Sequence, residues 1–184
     1  MRAETRRRGR GRGPRPRRLL GRHRPPAAPA PTATTSQAAL ACERVRGADL
    51  STWLGVPLEV AANPTDGGGT GCSAQHLGDV LVQVQWSRVD GADSLEMAAG
   101  QVFAGRSPRP TVEETTLPGG APARTVVTED PGAQVQVDLV TMSDGDGLHV
   151  LVSAGSTTGR LSITRARLEG AATRIAAAYA DPAG

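Results

Sequence analysis

An α+β fold is what the sequence predicts: a curved antiparallel β-sheet of about six to seven strands, packed against a C-terminal helix and a central helix. Three observations carry that expectation. Short runs of alternating apolar and polar residues, led by "VLVQVQWSR" (80–88), read as half-buried strands. In the second half such runs are joined by the short turn formers "PGGAP", "DPG" and "SDGDG", which favour antiparallel pairing of neighbours. Two other stretches, one in mid-chain and one near the C-terminus, repeat their apolar residues at helical spacing.

In chain order, "ADLSTWLG" from Ala48 predicts a short helix closed by Gly55, with Leu50, Trp53 and Leu54 on one side. "VPLEVAA" (56–62) then reads as a strand running into "NPTDGGGTG", and a second short strand covers about Cys72 to His76. In the next strand Val80, Val82, Val84 and Trp86 alternate with Leu81, Gln83 and Gln85. "DSLEMAAGQVFAG" (93–105) supplies the central helix. Its Asp93 and Glu96 have capping-box spacing, and Leu95, Ala99, Val102 and Phe103 share a face. "RSPRP" (106–110) breaks that helix. "TVEETTL" (111–117), "ARTVVTE" (123–129), "AQVQVDLVTM" (133–142) and "LHVLVSA" (148–154) are four further strands. "ITRARLEGAATRIAAAYA" (163–180) closes the chain as a helix, with Leu168, Ala171, Ala172, Ile175 and Tyr179 on one side.

A length of 184 residues suits one domain and a tail: residues 1–40 as a disordered Arg/Pro/Ala-rich tail or atypical leader, and 41–181 as a single α+β domain. Charge divides at nearly the same place. Residues 1–24 hold 11 of the 21 arginines against the single acid Glu4, whereas the remainder carries 10 arginines against 17 acids. The body is therefore acidic although the whole chain is basic. The first 40 residues have no hydrophobic periodicity, and their proline and arginine content cannot support a core. Arg-Gly repeats can bind nucleic acid by phosphate charge and guanidinium stacking. Here no aromatic residue interleaves with them and the acidic body would repel the same partner, so a nucleic-acid partner is not expected. The basic start resembles the n-region of a secretion signal, but Pro, Arg and His interrupt the apolar stretch that should come next. A displaced start or altered leader is the third reading. "ALAC" (39–42) has the small residues of a lipobox, yet Ala39 stands where Leu is usual and no apolar segment precedes it, so lipidation of Cys42 is not expected.

Lysine is absent from the chain, which removes a Walker-type phosphate lysine, a Schiff base and a Ser-Lys dyad. The "GGGTG" loop would need a helix after it to hold phosphate, and the next segment reads as a strand, so a flexible hairpin connection is expected. His76 is the local partner for a Cys72 thiol, but four residues of strand separate them by about 13 Å. His149 can pair across strands with Asp138; the blander expectation is a solvent-facing histidine on the outer face. His23 lies in the tail, and no CxxC or HxxxH spacing marks a metal site. "SDGDG" lacks the later acids of a calcium loop and reads as a hairpin turn. Arg106 and Arg109, around Pro108, read as an anion contact or, more simply, a solvated linker. No serine occupies a G-x-S-x-G elbow. No catalytic residue, cofactor site or metal site is expected.

Cys42 and Cys72, 30 residues apart, stand just ahead of the first helix and in the first hairpin, where a disulfide would staple helix to sheet. Closing such a loop contributes about 3–4 kcal/mol in the loop-entropy model. Disulfides persist outside the cytoplasm; the alternative is two unpaired thiols in a cytoplasmic protein.

"ACERVRGADLSTWLGVPLEV" (41–60), the glycine-rich loop and "GCSAQ" (71–75) resemble the actinobacterial secreted lipoproteins grouped as domain of unknown function 3558. Cys42, Leu54, Gly55, the glycines from Gly67 to Gly71, and Cys72 match that outline, over about residues 40–180. Ala74 stands where an aromatic residue is usual, and the Arg-rich tail replaces the lipoprotein signal. The resemblance implies an envelope-associated, non-enzymatic module and supplies no catalytic residues. The expectation is thus an extracytoplasmic, monomeric binding or interaction module without a transmembrane segment. Its partner would be an unidentified envelope ligand or protein. The alternatives are a cytoplasmic protein binding nucleic acid or an acidic partner through the tail, and an enzyme using His149 and Asp138.

Overall fold

A computed structural model describes residues 40–64, 70–130 and 132–180. The Arg-rich tail, His23 and the loop glycines Gly67, Gly68 and Gly69 lie outside the described residues. After a 3-10 turn at Cys42–Arg44, the elements are α1 (Gly47–Leu54), β1 (Val60–Pro64), β2 (Thr70–His76), β3 (Val80–Val89) and α2 (Leu95–Phe103). They continue as β4 (Glu113–Thr116), β5 (Pro122–Asp130), β6 (Gln134–Ser143), β7 (Asp146–Ser156) and α3 (Arg165–Tyr179).

The seven strands form one sheet in the order β1-β2-β3-β7-β6-β5-β4, and every neighbouring pair is antiparallel. The α+β class with central and C-terminal helices is as the sequence predicts. The sheet is two meanders sharing one seam. β1 to β3 run from one edge to the middle, α2 carries the chain across, and β4 to β7 return from the far edge until β7 pairs with β3. At the β6–β7 turn Asp144 (φ 53°) and Gly145 (φ 80°) both have positive φ between the paired Ser143 and Asp146. That is the turn geometry that matches strand twist, so "SDGDG" is indeed a hairpin.

Side-chain alternation gives the sheet two unlike faces. The first carries Val82, Val84, Trp86, Val137, Leu139, Leu148, Val150 and Val152, all buried, and packs against α1 and α3. Leu168, Ala171, Ala172, Ile175, Ala176 and Tyr179 of α3 are buried there, as the helical spacing predicts. Trp86 donates Nε1–H to Tyr179 Oη (3.0 Å), and Tyr179 donates its hydroxyl to Ala41 O (2.7 Å). Burial pushes the Tyr179 hydroxyl pKa up, against the opposing hydrogen bond from Trp86. Next to that anchor, Cys42 and Cys72 form a disulfide with Cα atoms 5.6 Å apart. The start of the domain is therefore held twice, once to the last turn of α3 and once to the sheet.

α2 covers one end of the second face, where Ala98, Ala99 and Phe103 pack with Val89, Ala92, Val126 and Val140. Gly147 of β7 lies directly beneath: a Cβ there would come within 2.7 Å of the Ala98 methyl carbon. The helix sits this close because position 147 has no side chain. No helix among the described residues is long and apolar enough to cross a membrane.

Two local expectations are corrected. The strand expected from Val56 starts at Val60, because Leu58 is buried against α1 and its N–H donates to Ser51 Oγ (2.8 Å). That ties the segment to the helix. α2 is capped by Ser94, whose Oγ accepts from Met97 N, rather than by Asp93. Glu96 turns away from the helix start and pairs with Arg124 of β5 (2.6 Å).

Candidate functional site

Asp138 is the one ionisable side chain that β6 places fully inside the protein. It faces α2's side of the sheet, opposite Val126 of β5 and Leu151 of β7. A buried carboxylate is costly unless several donors satisfy it, and three do. His149 Nε2 lies 2.8 Å from Oδ1, Arg106 donates to Oδ2 (2.8 Å), and Gln136 donates to Oδ2 (2.7 Å). His149 reaches it diagonally, since its register partner is Val140, two residues along β6 from Asp138. Gln136 precedes Asp138 by two and so shares its face. Arg106 arrives from the segment after α2, with its guanidinium 5.5 Å from the centroid of the Phe103 ring.

Burial alone would raise the carboxyl pKa, but the hydrogen bonds from His149, Arg106 and Gln136 outweigh it and hold the group well below the usual carboxylate range. Asp138 is therefore a carboxylate at every ordinary pH and accepts hydrogen bonds only. The proton on the bonded His149 nitrogen is accordingly donated to it. Two expectations are overturned here. His149 is not a free solvent-facing side chain, and Arg106 is not a solvated linker residue. Both are drawn in because the carboxylate between them needs cationic or N–H partners.

Beside this network a cavity of about 560 Å³ opens between α2, the 104–112 segment and the β4–β5 edge. Phe103 and Val112 give it apolar walls, and Arg106 forms the boundary with the Asp138 network. Arg124 also lines it and is paired with Glu96 and, at 3.6 Å, Glu114. Arg109 is a further lining residue, and among the described residues it makes no ion pair. On the same face as Asp138, Gln75, Gln83, Ser153 and the network's own Gln136 stand in register across four strands. That row presents amides and a hydroxyl in place of charge.

Ser87 is opposite His149 in the β3–β7 register, yet no hydrogen bond joins them among the described residues. Both cysteines are oxidised, so Cys72 is not a nucleophile. His76 is at the far end of β2, and among the described residues no three His, Cys, Asp or Glu side chains are gathered to hold a metal ion. The site is a charged, fully bonded network walling a partly apolar cavity.

The sequence offers the His149–Asp138 pair but does not join Arg106 or Arg109 to it, and nothing in it singles out Gln136. The available signal is an aspartate in the middle of the apolar run "VQVDLV", since a buried charge demands partners. No family model matches the chain, and neither a curated protein nor a solved structure does.

Proposed function

We propose that the chain is a non-enzymatic binding module of the extracytoplasmic space, secreted or held in the cell envelope. Its ligand or protein partner would dock in the cavity beside Arg109 and the Asp138 network. The observation that carries this reading is the Cys42–Cys72 disulfide, because such bonds persist in oxidising compartments and are rare in reducing ones. The resemblance to the secreted lipoproteins of domain of unknown function 3558 supports the same compartment. Support for a binding role comes from the site. Among the described residues the carboxylate–histidine pair has no bonded nucleophile, and the cavity combines the Arg109 guanidinium, without an ion pair there, with apolar walls.

The test is mass spectrometry of the protein recovered from its own cells with thiols blocked at lysis. The expected result is an intact Cys42–Cys72 bond in protein recovered outside the cytoplasm. Two alkylated thiols on a cytoplasmic protein would overturn it. Salt-dependent nucleic-acid binding lost on removing residues 1–24 would then favour the Arg-Gly tail as the working part.

A further inference from the structure

α1 and α3 lie side by side on the face of the sheet opposite α2, and a groove of about 340 Å³ runs between them. Thr52 and Trp53 of α1 line one wall; Ala166, Arg167, Gly170 and Arg174 of α3 line the other. Arg167 and Arg174 are seven residues apart, which is two helical turns, so both project from the same side of α3. Gly170 lies between them, and a Cβ there would meet nothing within 4 Å. The floor between the two cations is therefore open.

Each guanidinium lies against α1. Arg174 lies over the Trp53 ring, 5.4 Å from its centroid. Arg167 lies over Gly55, the left-handed residue ending α1, where a Cβ would stand 2.8 Å from its Nη1. Among the described residues neither arginine has a carboxylate partner. Their neighbour Arg165 differs, being paired with Glu169 and Glu129. Among the described residues no acid lines the groove, although acids outnumber arginines 17 to 10 in the sequence from residue 25 onward. Two guanidiniums without acid partners, flanking an open floor, suit an anion with several acceptor oxygens.

We propose that the α1–α3 groove binds a phosphate group, with Arg167 and Arg174 as its ligands and Trp53 as the wall that fixes Arg174. This does not depend on the compartment or on the cavity beside Arg109. The chemistry is shared by a soluble phosphate ester and a phospholipid headgroup, and the experiment separates them. Full-length protein is titrated with inorganic phosphate against a sulfonate buffer of equal ionic strength, and is sedimented with phosphatidylglycerol or phosphatidylcholine vesicles.

The same measurements are made on Arg167→Gln/Arg174→Gln and on Arg46→Gln/Arg160→Gln, which removes the same charge elsewhere. Saturable binding should weaken at least about tenfold in the first variant and hold in the second. Retention on phosphatidylglycerol without a response to phosphate would identify the lipid headgroup; a response to phosphate without vesicle binding would identify a soluble ester. Absence of saturable binding to either probe would overturn the proposal, as would equal loss in both variants. Binding unchanged in Arg167→Gln/Arg174→Gln, as the arginine tail alone would give, would overturn it too. All four positions are exposed, and matching thermal melts would show that the variants remain folded.

Discussion

Asp138 has no solvent exposure and three donors, so its charge is stabilised wholly by neighbours that the fold brings to it. Replacing it by Asn would set an N–H donor among groups that are themselves donors, and would leave Arg106 without its partner. The expected loss is about 3 kcal/mol near neutral pH, read by urea denaturation. The pH dependence has a definite sign. The folded carboxyl pKa lies below its unfolded value of about 3.9, so the stabilisation is full above that value. It is lost progressively as pH falls through and below about 4. The gap between the protein and Asp138→Asn should therefore shrink between about pH 5 and pH 2. A gap that stays constant over that range would mean the carboxylate is not preferentially ionised in the folded state.

Among the elements, those with strict periodicity are the most legible in the sequence. α3 and β3 follow their apolar patterns closely, because each buries one continuous face against a single layer. The existence of α2 is legible but its packing is not. Ala98, absent from the predicted face, is fully buried, since what it touches is a glycine of β7, far along the chain. That contact gives a direct test. Gly147→Ala forces a methyl against Ala98, Val89 and Ala92, and should cost about 1–3 kcal/mol by overpacking. The comparison is with Gly100→Ala, an exposed position of α2 beside the cavity, where a Cβ meets nothing. That second change should be neutral or stabilising, because alanine is the better helix former. Equal effects on the unfolding midpoint would contradict the close approach of α2 to β7.

For the molecule as a whole, short turns reveal which consecutive strands pair, but nothing local can reveal the β3–β7 seam. Its partners, such as Trp86 and Val150, are far apart in sequence and are matched only by burial on a common face. The candidate site is hidden only in part: His149 meets Asp138 within the β6–β7 hairpin, a pairing the sequence offers, whereas Arg106 comes from the segment after α2, 32 residues before Asp138. The disulfide works at this scale too. It joins the segment before α1 to the sheet across 30 residues of chain, and in the loop-entropy model contributes about 3.5 kcal/mol. Unfolding in the presence of reductant should show that loss, with a Cys42→Ala/Cys72→Ala variant as the reference that reductant does not change. An unaltered midpoint would show that the Tyr179 anchor alone holds the segment.

Both meanders place their shortest strands outside. β1 has five residues and ends on Pro64, which has no N–H to offer. β4 has four, all exposed, two of them the adjacent acids Glu113 and Glu114. A rim so brief, broken by proline on one side and repelling its own kind on the other, gives a passing strand little to zip onto. Crowded copies of this domain should resist edge-to-edge polymerisation, even though long apolar strands lie only one or two places inside.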